Sequence, residues 1–349
     1  MRLLLALTLT AGLVLAPGAS AAPAIGDTTV FARVGAPGHP DTSIVLPGGD
    51  IAVSTNRGAR GAPGPSKVLR YRPDGRLVRT YTITGQAAGD HGAMGMAVDS
   101  RGRLYLADYA PARVLRIDLR TGRQETYATL PDLPSCPPGA TGACDNGIGD
   151  SAPWTDGLAF DRQGRLLVTD LAQGTVFRVP NGGGVAQVWL QGPELRSTFG
   201  ANQLQLTPDG DLLLSVTLST VPATAGRGVL YRVEVSPAGD AGPLSVVYAT
   251  LPGEGPDGFA LGRSGRVYLV TLVTDRVVVV APDGTEERSL RRPTGDAPYD
   301  SPSSATLVGG GKLLVTNLTY FTGSAANATV LSVHVADAPV PDLRPRVRG

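Results

Sequence analysis

The sequence predicts an all-β fold, a six-bladed β-propeller, on three observations. Two short apolar strands around a glycine turn recur six times, spare strands remain at both ends of the series, and no stretch carries the 3.6-residue apolar period of a helix. The turn glycines are Gly49, Gly102, Gly164, Gly210, Gly265 and Gly311, spaced about 52 residues apart on average, close to the roughly 40–50 residues of a four-stranded blade. Glycine is expected at such a turn because it takes positive φ at little steric cost.

Each copy leaves room for two further strands. After Gly102 these are Val114-Leu-Arg-Ile and Glu125-Thr-Tyr-Ala-Thr. The sixth copy ends with only a third strand, Thr329-Val-Leu-Ser-Val-His-Val, while one unassigned strand, Thr28-Thr-Val-Phe-Ala-Arg-Val, precedes the first copy. The N-terminal strand is therefore expected to complete the last blade and close the ring, removing the exposed sheet edges.

The ends of the chain read differently. Residues 1–21 combine one basic residue, the apolar run Leu3 to Ala16 and a small-residue cleavage site, the parts of a secretory signal peptide. The run is too short to span a bilayer, which needs about 20 residues. A secreted, extracellular protein is expected, with one propeller domain over 22–338 and a Pro/Arg-rich C-terminal tail over 339–349. Cys136 and Cys144 are the two cysteines, close together in one loop, and an exported chain predicts a disulfide between them. With 31 basic and 30 acidic residues the charge is balanced, which gives no broad electrostatic case for nucleic acid or an anionic membrane surface. A small-molecule partner and a monomer are the working expectation.

In a propeller the first strand of each blade lines the axis. Counting eight residues back from each turn glycine marks where that strand begins, and gives Asp41, Met94, Asp156, Asn202, Asp257 and Ser303. Three carboxylates and an amide converging on one axis are hard oxygen donors of the kind Ca²⁺ or another divalent cation takes. The competing reading is that Asp and Asn at such positions bond neighbouring backbone.

With this ring in place the chain resembles the SMP-30/gluconolactonase family over about residues 25–335. The resemblance implies a central divalent ion, usually calcium, held by residues of the first, fourth and fifth blades, with a further Asn or Asp from the third. Here those positions are Asp41, where the family usually has Glu, Asn202, Asp257 in Pro256-Asp257-Gly258, and Asp156 in Thr155-Asp156-Gly157. Met94 fits a second blade that supplies no ligand. The implied activity is a metal-dependent hydrolase that opens a lactone or similar cyclic ester. Asp257 is the expected ligand and a candidate base, with Asp156 as the alternative base. His39 and His91 lie in the loops that enter blades one and two and are candidate bases near neutral pH, His91 ahead of His39; a solvent-exposed loop position is the plainer alternative. The rival function is non-catalytic: an NHL-like propeller that binds a protein or glycan on the same face. The loop 131–153 and the aromatic pair Tyr320 and Phe321 are expected on that face, as a lid and as stacking groups.

Overall fold

The computed structural model describes residues 22–35, 38–56, 64–137, 143–291 and 298–349. The expected signal peptide lies outside the described residues. Six small antiparallel sheets succeed one another along the chain. Blade one is His39–Val45, Ile51–Asn56, Lys67–Tyr71 and Leu77–Thr82; blade two is Ala93–Val98, Leu104–Tyr109, Ala112–Ile117 and Gln124–Thr129. Blade three is Thr155–Phe160, Leu166–Asp170, Thr175–Val179 and Gln187–Gln191; blade four is Ala201–Leu206, Leu212–Val216, Arg227–Val235 and Ala241–Pro252. Blade five is Pro256–Leu261, Val267–Thr271, Arg276–Val280 and Glu286–Arg291. Blade six consists of Pro302–Val308, Lys312–Asn317, Thr329–His334 and, as its outer strand, Thr28–Arg33 from the other end of the chain. That last pairing runs from Thr28 opposite Val333 to Arg33 opposite Thr329, so the ring closes as the strand count requires. Between blades two and three, Gly184–Val185 adds a short parallel pairing to Gln124–Thr129.

The apolar core is divided among the joints between blades. Six buried clusters fill the six interfaces: Val68 and Tyr81 meet Leu104 and Leu106 between blades one and two, and Tyr105 and Tyr127 meet Phe160 and Phe177 between two and three. The same pattern continues round the ring to Leu314 and Val330 against Ile51 and Leu69. The second strand of each blade buries side chains on both of its faces, which explains its near-continuous apolar runs, whereas outer strands such as Leu77–Thr82 and Glu286–Arg291 stay largely exposed. The six turn glycines all adopt positive φ, between 71° and 106°. In two turns the preceding aspartate adds a local tie. Asp99 accepts backbone N–H bonds from Arg101 and Arg103 and pairs with the Arg103 guanidinium at 2.7 Å, and Asp161 does the same for Gln163 and Arg165.

The C-terminal segment, legible in sequence only as a Pro/Arg-rich tail, folds back across the turn end of the propeller. Val340 N–H bonds the Leu261 carbonyl, Arg344 reaches the Val45 carbonyl, Ser100 N–H bonds the Pro345 carbonyl, and Arg348 N–H bonds Asn181. It thus touches blades five, one, two and three in turn. Val347 is fully buried in the cluster between blades two and three. Together with the six inner strands, residues 339–344 wall a cavity of about 280 Å³ in the axial channel.

Since Val347 has no exposed surface, Val347→Ala is expected to lower the stability of the whole domain by about 1–3 kcal/mol. Urea unfolding checks this, with a lower midpoint and an unchanged slope expected; an unshifted midpoint would mean that the tail is not docked.

Candidate functional site at the propeller axis

The structure places Asp41, Met94, Asp156, Asn202 and Ser303 near the beginning of five successive inner strands, all buried, with Asp257 partly buried at the corresponding position of blade five. In all six blades the pairing of first and second strands slips beside this residue, between Pro40 and Ser43 in blade one and at the matching place in each other blade. Such a bulge turns a side chain out of the regular alternation and re-aims it.

Two devices set the inner strands side by side. The residue after the axial position is glycine in blades two, three and five, and a Cβ on Gly95, Gly157 or Gly258 would collide with the carbonyl oxygen of Asp156, Asn202 or Ser303 in the next blade. The second device is a hydroxyl on the second strand that donates to the axial carbonyl of the following blade. Ser54 bonds Met94 O at 2.7 Å, Thr169 bonds Asn202 O, Ser215 bonds Asp257 O at 2.8 Å, and Thr316 bonds Asp41 O at 2.5 Å. These hydroxyls escaped the sequence reading, although each lies five residues beyond a turn glycine.

The axial carboxyls are electrostatically coupled. Burial pushes Asp41 up to about 6, against hydrogen bonds from Thr42 at 3.0 Å and Asn56 at 3.3 Å that favour its charged form. Burial raises Asp156 well above the ordinary carboxylate range, and the Asp41 charge adds to this. Asp257 is raised by burial, then by Asp156 and Asp41, while a hydrogen bond from Asn202 opposes the shift. The Asn202 amide also donates to Thr217 at 3.1 Å. Three like charges at one axis disfavour simultaneous ionisation. Close by, two buried polar atoms, Trp154 Nε1 and Thr155 Oγ1, have no hydrogen-bond partner among the described residues. They immediately precede Asp156 in sequence, and orphaned buried polar groups of this kind call for a ligand, ion or water.

Oxygen-only donors carrying surplus negative charge fit a hard divalent cation in their chemistry. Their arrangement is looser than a preformed centre: among the described residues no three His, Cys, Asp or Glu side chains form a group of metal-holding geometry. Asp41, Asp156, Asp257 and the Asn202 amide are the residues that would hold the ion.

The histidines are buried, so the exposed-loop alternative does not describe them. His91 sets Nδ1 at 3.0 Å from the Gly89 carbonyl and Nε2 at 3.2 Å from the Gly64 carbonyl, which makes it a strut between two loops. His39 begins the inner strand of blade one, and its Nδ1 lies 2.6 Å from Thr319 Oγ1. Burial lowers its pKa, against the Asp300 charge.

The expected disulfide joins Cys136 and Cys144. Buried Asp145 accepts N–H bonds from Gly147 and Ser151, each at 2.7 Å, and so serves loop structure. Residues 138–142 of this loop lie outside the described residues. Tyr320 and Phe321 pack edge to face on one another at 5.1 Å. A separate aromatic row, unremarked in the sequence, runs from Tyr109 through Trp154 to Phe199, with centroids 5.2 and 6.2 Å apart.

Solved structures share this architecture. The calcium-binding protein regucalcin from Agrobacterium tumefaciens matches with a TM-score of 0.61 at 14% identity, covering 91% of this chain and 99% of that one. A gluconolactonase from Xanthomonas campestris matches at 0.59 and 17%, covering 90% and 89%. Virginiamycin B lyase from Staphylococcus aureus matches at 0.52 and 18%, covering 80% and 78%. Members of the family that the sequence resembles are thus among the structural relatives, and at these identities the likeness is one of fold. No protein-family model matches the chain, and no curated protein matches it in sequence.

The raised pKa of Asp41 has a definite sign in stability. Between about pH 4 and 6 the folded state keeps a proton that the unfolded state releases, so the ion-free protein loses stability as pH rises through that window. Asp41→Asn does not titrate there. Its stability relative to the wild type is expected to rise by on the order of 1–3 kcal/mol from pH 4 to 7 in the presence of a chelator. Urea unfolding across that range measures it, and a difference independent of pH would contradict the buried, coupled state.

Proposed function

We propose that the chain is an exported, divalent-cation-dependent hydrolase that opens a lactone or a similar cyclic ester at the axial ring. One observation carries the reading: three coupled carboxyls and an amide meet at the one axis shared by all six blades. The leader-like first 21 residues support export. Fold alone cannot decide the chemistry, because the structural relatives include both a gluconolactonase and a lyase.

A bound calcium ion would supply Lewis acidity, polarising the lactone carbonyl and favouring the oxyanion. The chain's own groups divide the remaining work. Asp156 has no hydrogen-bond partner among the described residues and a pKa pushed upward, which suits a carboxylate that takes a proton from the attacking water. As water adds to the carbonyl carbon, the ring C–O bond breaks, and the proton held on Asp156 goes to the departing alkoxide. Asn202 hydrogen-bonds Asp257 and favours its charged form, the one an ion needs, against the upward push of burial and of Asp156 and Asp41. His91, with both ring nitrogens on backbone carbonyls, is better placed to hold its loops than to exchange protons. A second reading, an NHL-like propeller that binds a protein or glycan, draws its support from the open spacing of the three aspartates.

Hydrolysis of a lactone panel with Ca²⁺, Mg²⁺ or Mn²⁺ separates the two. Activity is expected, abolished by chelator, and reduced at least about 100-fold in Asp156→Asn and Asp257→Ala. Wild-type rates in Asp257→Ala, or rates indifferent to chelator, would contradict the hydrolase.

A further inference from the structure

The aromatic row borders the axial ring on one side. Trp154 precedes Asp156 by two residues and Phe199 precedes Asn202 by three. Tyr109 ends the second strand of blade two and lies so close over Gly92, two residues before Met94, that a Cβ there would strike its ring. Each aromatic side chain thus stands just outside the axial residue of one of three consecutive blades. The row lies beside the sector where Met94 takes the place of a carboxylate, its Sδ accepting from the Asn56 amide.

The row is unlike a core cluster. Phe199 is 40% exposed, Trp154 and Tyr109 are half-buried, and neither Trp154 nor Phe199 belongs to any of the six inter-blade clusters. Tyr109 gives its hydroxyl to Asp90 at 2.9 Å and packs against the cluster between blades two and three, which fixes the inner end of the row. Flat aromatic faces attract other rings and apolar surface. A polyol set against those faces would give up more hydrogen bonds to water than the rings can return.

We infer that Tyr109, Trp154 and Phe199 seat the flat, apolar part of the substrate, so that the ring acts on aryl-fused or aryl-bearing lactones in preference to polyhydroxylated sugar lactones. This rests on the axial ring as reactive centre, but the seat itself is testable by binding alone. Trp154 and Trp189 are the two tryptophans of the chain, and Trp189 is remote, donating to the Gly239 carbonyl. In a Trp189→Phe background, fluorescence therefore reports Trp154.

The probe is indan-2-one, an aryl-fused cyclic ketone that cannot be hydrolysed, compared with cyclopentanone, which has no aryl ring. Saturable quenching by indan-2-one is expected, with affinity at least about tenfold above that for cyclopentanone and weakened about tenfold by Phe199→Ala. Absence of saturable quenching, equal affinity for the two ketones, or an unchanged affinity in a folded Phe199→Ala would overturn the inference. The two claims fail separately. Aryl binding without hydrolysis of dihydrocoumarin would remove the hydrolase and leave the seat, whereas lactone hydrolysis with no preference for dihydrocoumarin over gluconolactone would remove the seat alone.

Discussion

Six inner strands can surround one narrow axis only if each backbone comes nearly into contact with the next, and this close approach governs the rest of the structure. The chain achieves it with glycine after the axial residue in three blades and with a second-strand hydroxyl reaching the next axial carbonyl in four. Because the hydroxyls bond backbone carbonyls, they satisfy polar groups that would otherwise be buried unpaired at the bulges. Among the axial side chains the Asp156 carboxylate is left free of such duties, whereas the Ser303 hydroxyl shares them by donating to the Asp41 carbonyl. Function and architecture therefore meet at adjacent residues: Gly157 permits the packing, while Asp156 beside it has no hydrogen-bond partner among the described residues.

That arrangement concentrates charge where charge is costly. Buried carboxyls at one axis raise one another's pKa, and the only described hydrogen bonds opposing this come from Thr42, Asn56 and Asn202. A site that is strained in this way when empty gains affinity for a divalent cation, since the ion relieves repulsion as well as forming its own bonds. The tail across the turn end closes the lower channel with Pro339 to Arg344, so the ring and its aromatic border belong to the opposite end. The connections between blades and the disulfide-bearing loop share that end, where binding groups on loops are positioned by a rigid scaffold.

Much of this was legible in the sequence because repetition exposes it. The turn glycines fixed the blade count, and the spare strand at Thr28 matched the one missing after Thr329, since closure leaves no other partner for either. The axial residues followed from a constant offset. The hydroxyl set was equally periodic, yet Ser and Thr are so common in strands that Ser54 or Thr169 carries no signal until the carbonyl opposite is seen. Other features depend on contacts between segments remote in the chain. The docking of Val347 between blades two and three and the meeting of Tyr109, Trp154 and Phe199 have no local pattern. The histidines show the limit from another direction: their position beside the ring was readable, but whether a ring nitrogen faces solvent or the Gly64 carbonyl depends on how the loops fold.

The most direct measurement of the central claim is a calorimetric titration of Ca²⁺ into the full propeller near pH 6, in two buffers of different ionisation enthalpy. If the axial carboxyls hold shared protons that a cation displaces, binding is accompanied by proton release and the observed heat changes with the buffer. Absence of binding by Ca²⁺, Mg²⁺ and Mn²⁺, or binding whose heat is the same in both buffers, would contradict the coupled carboxylate ring as a cation site.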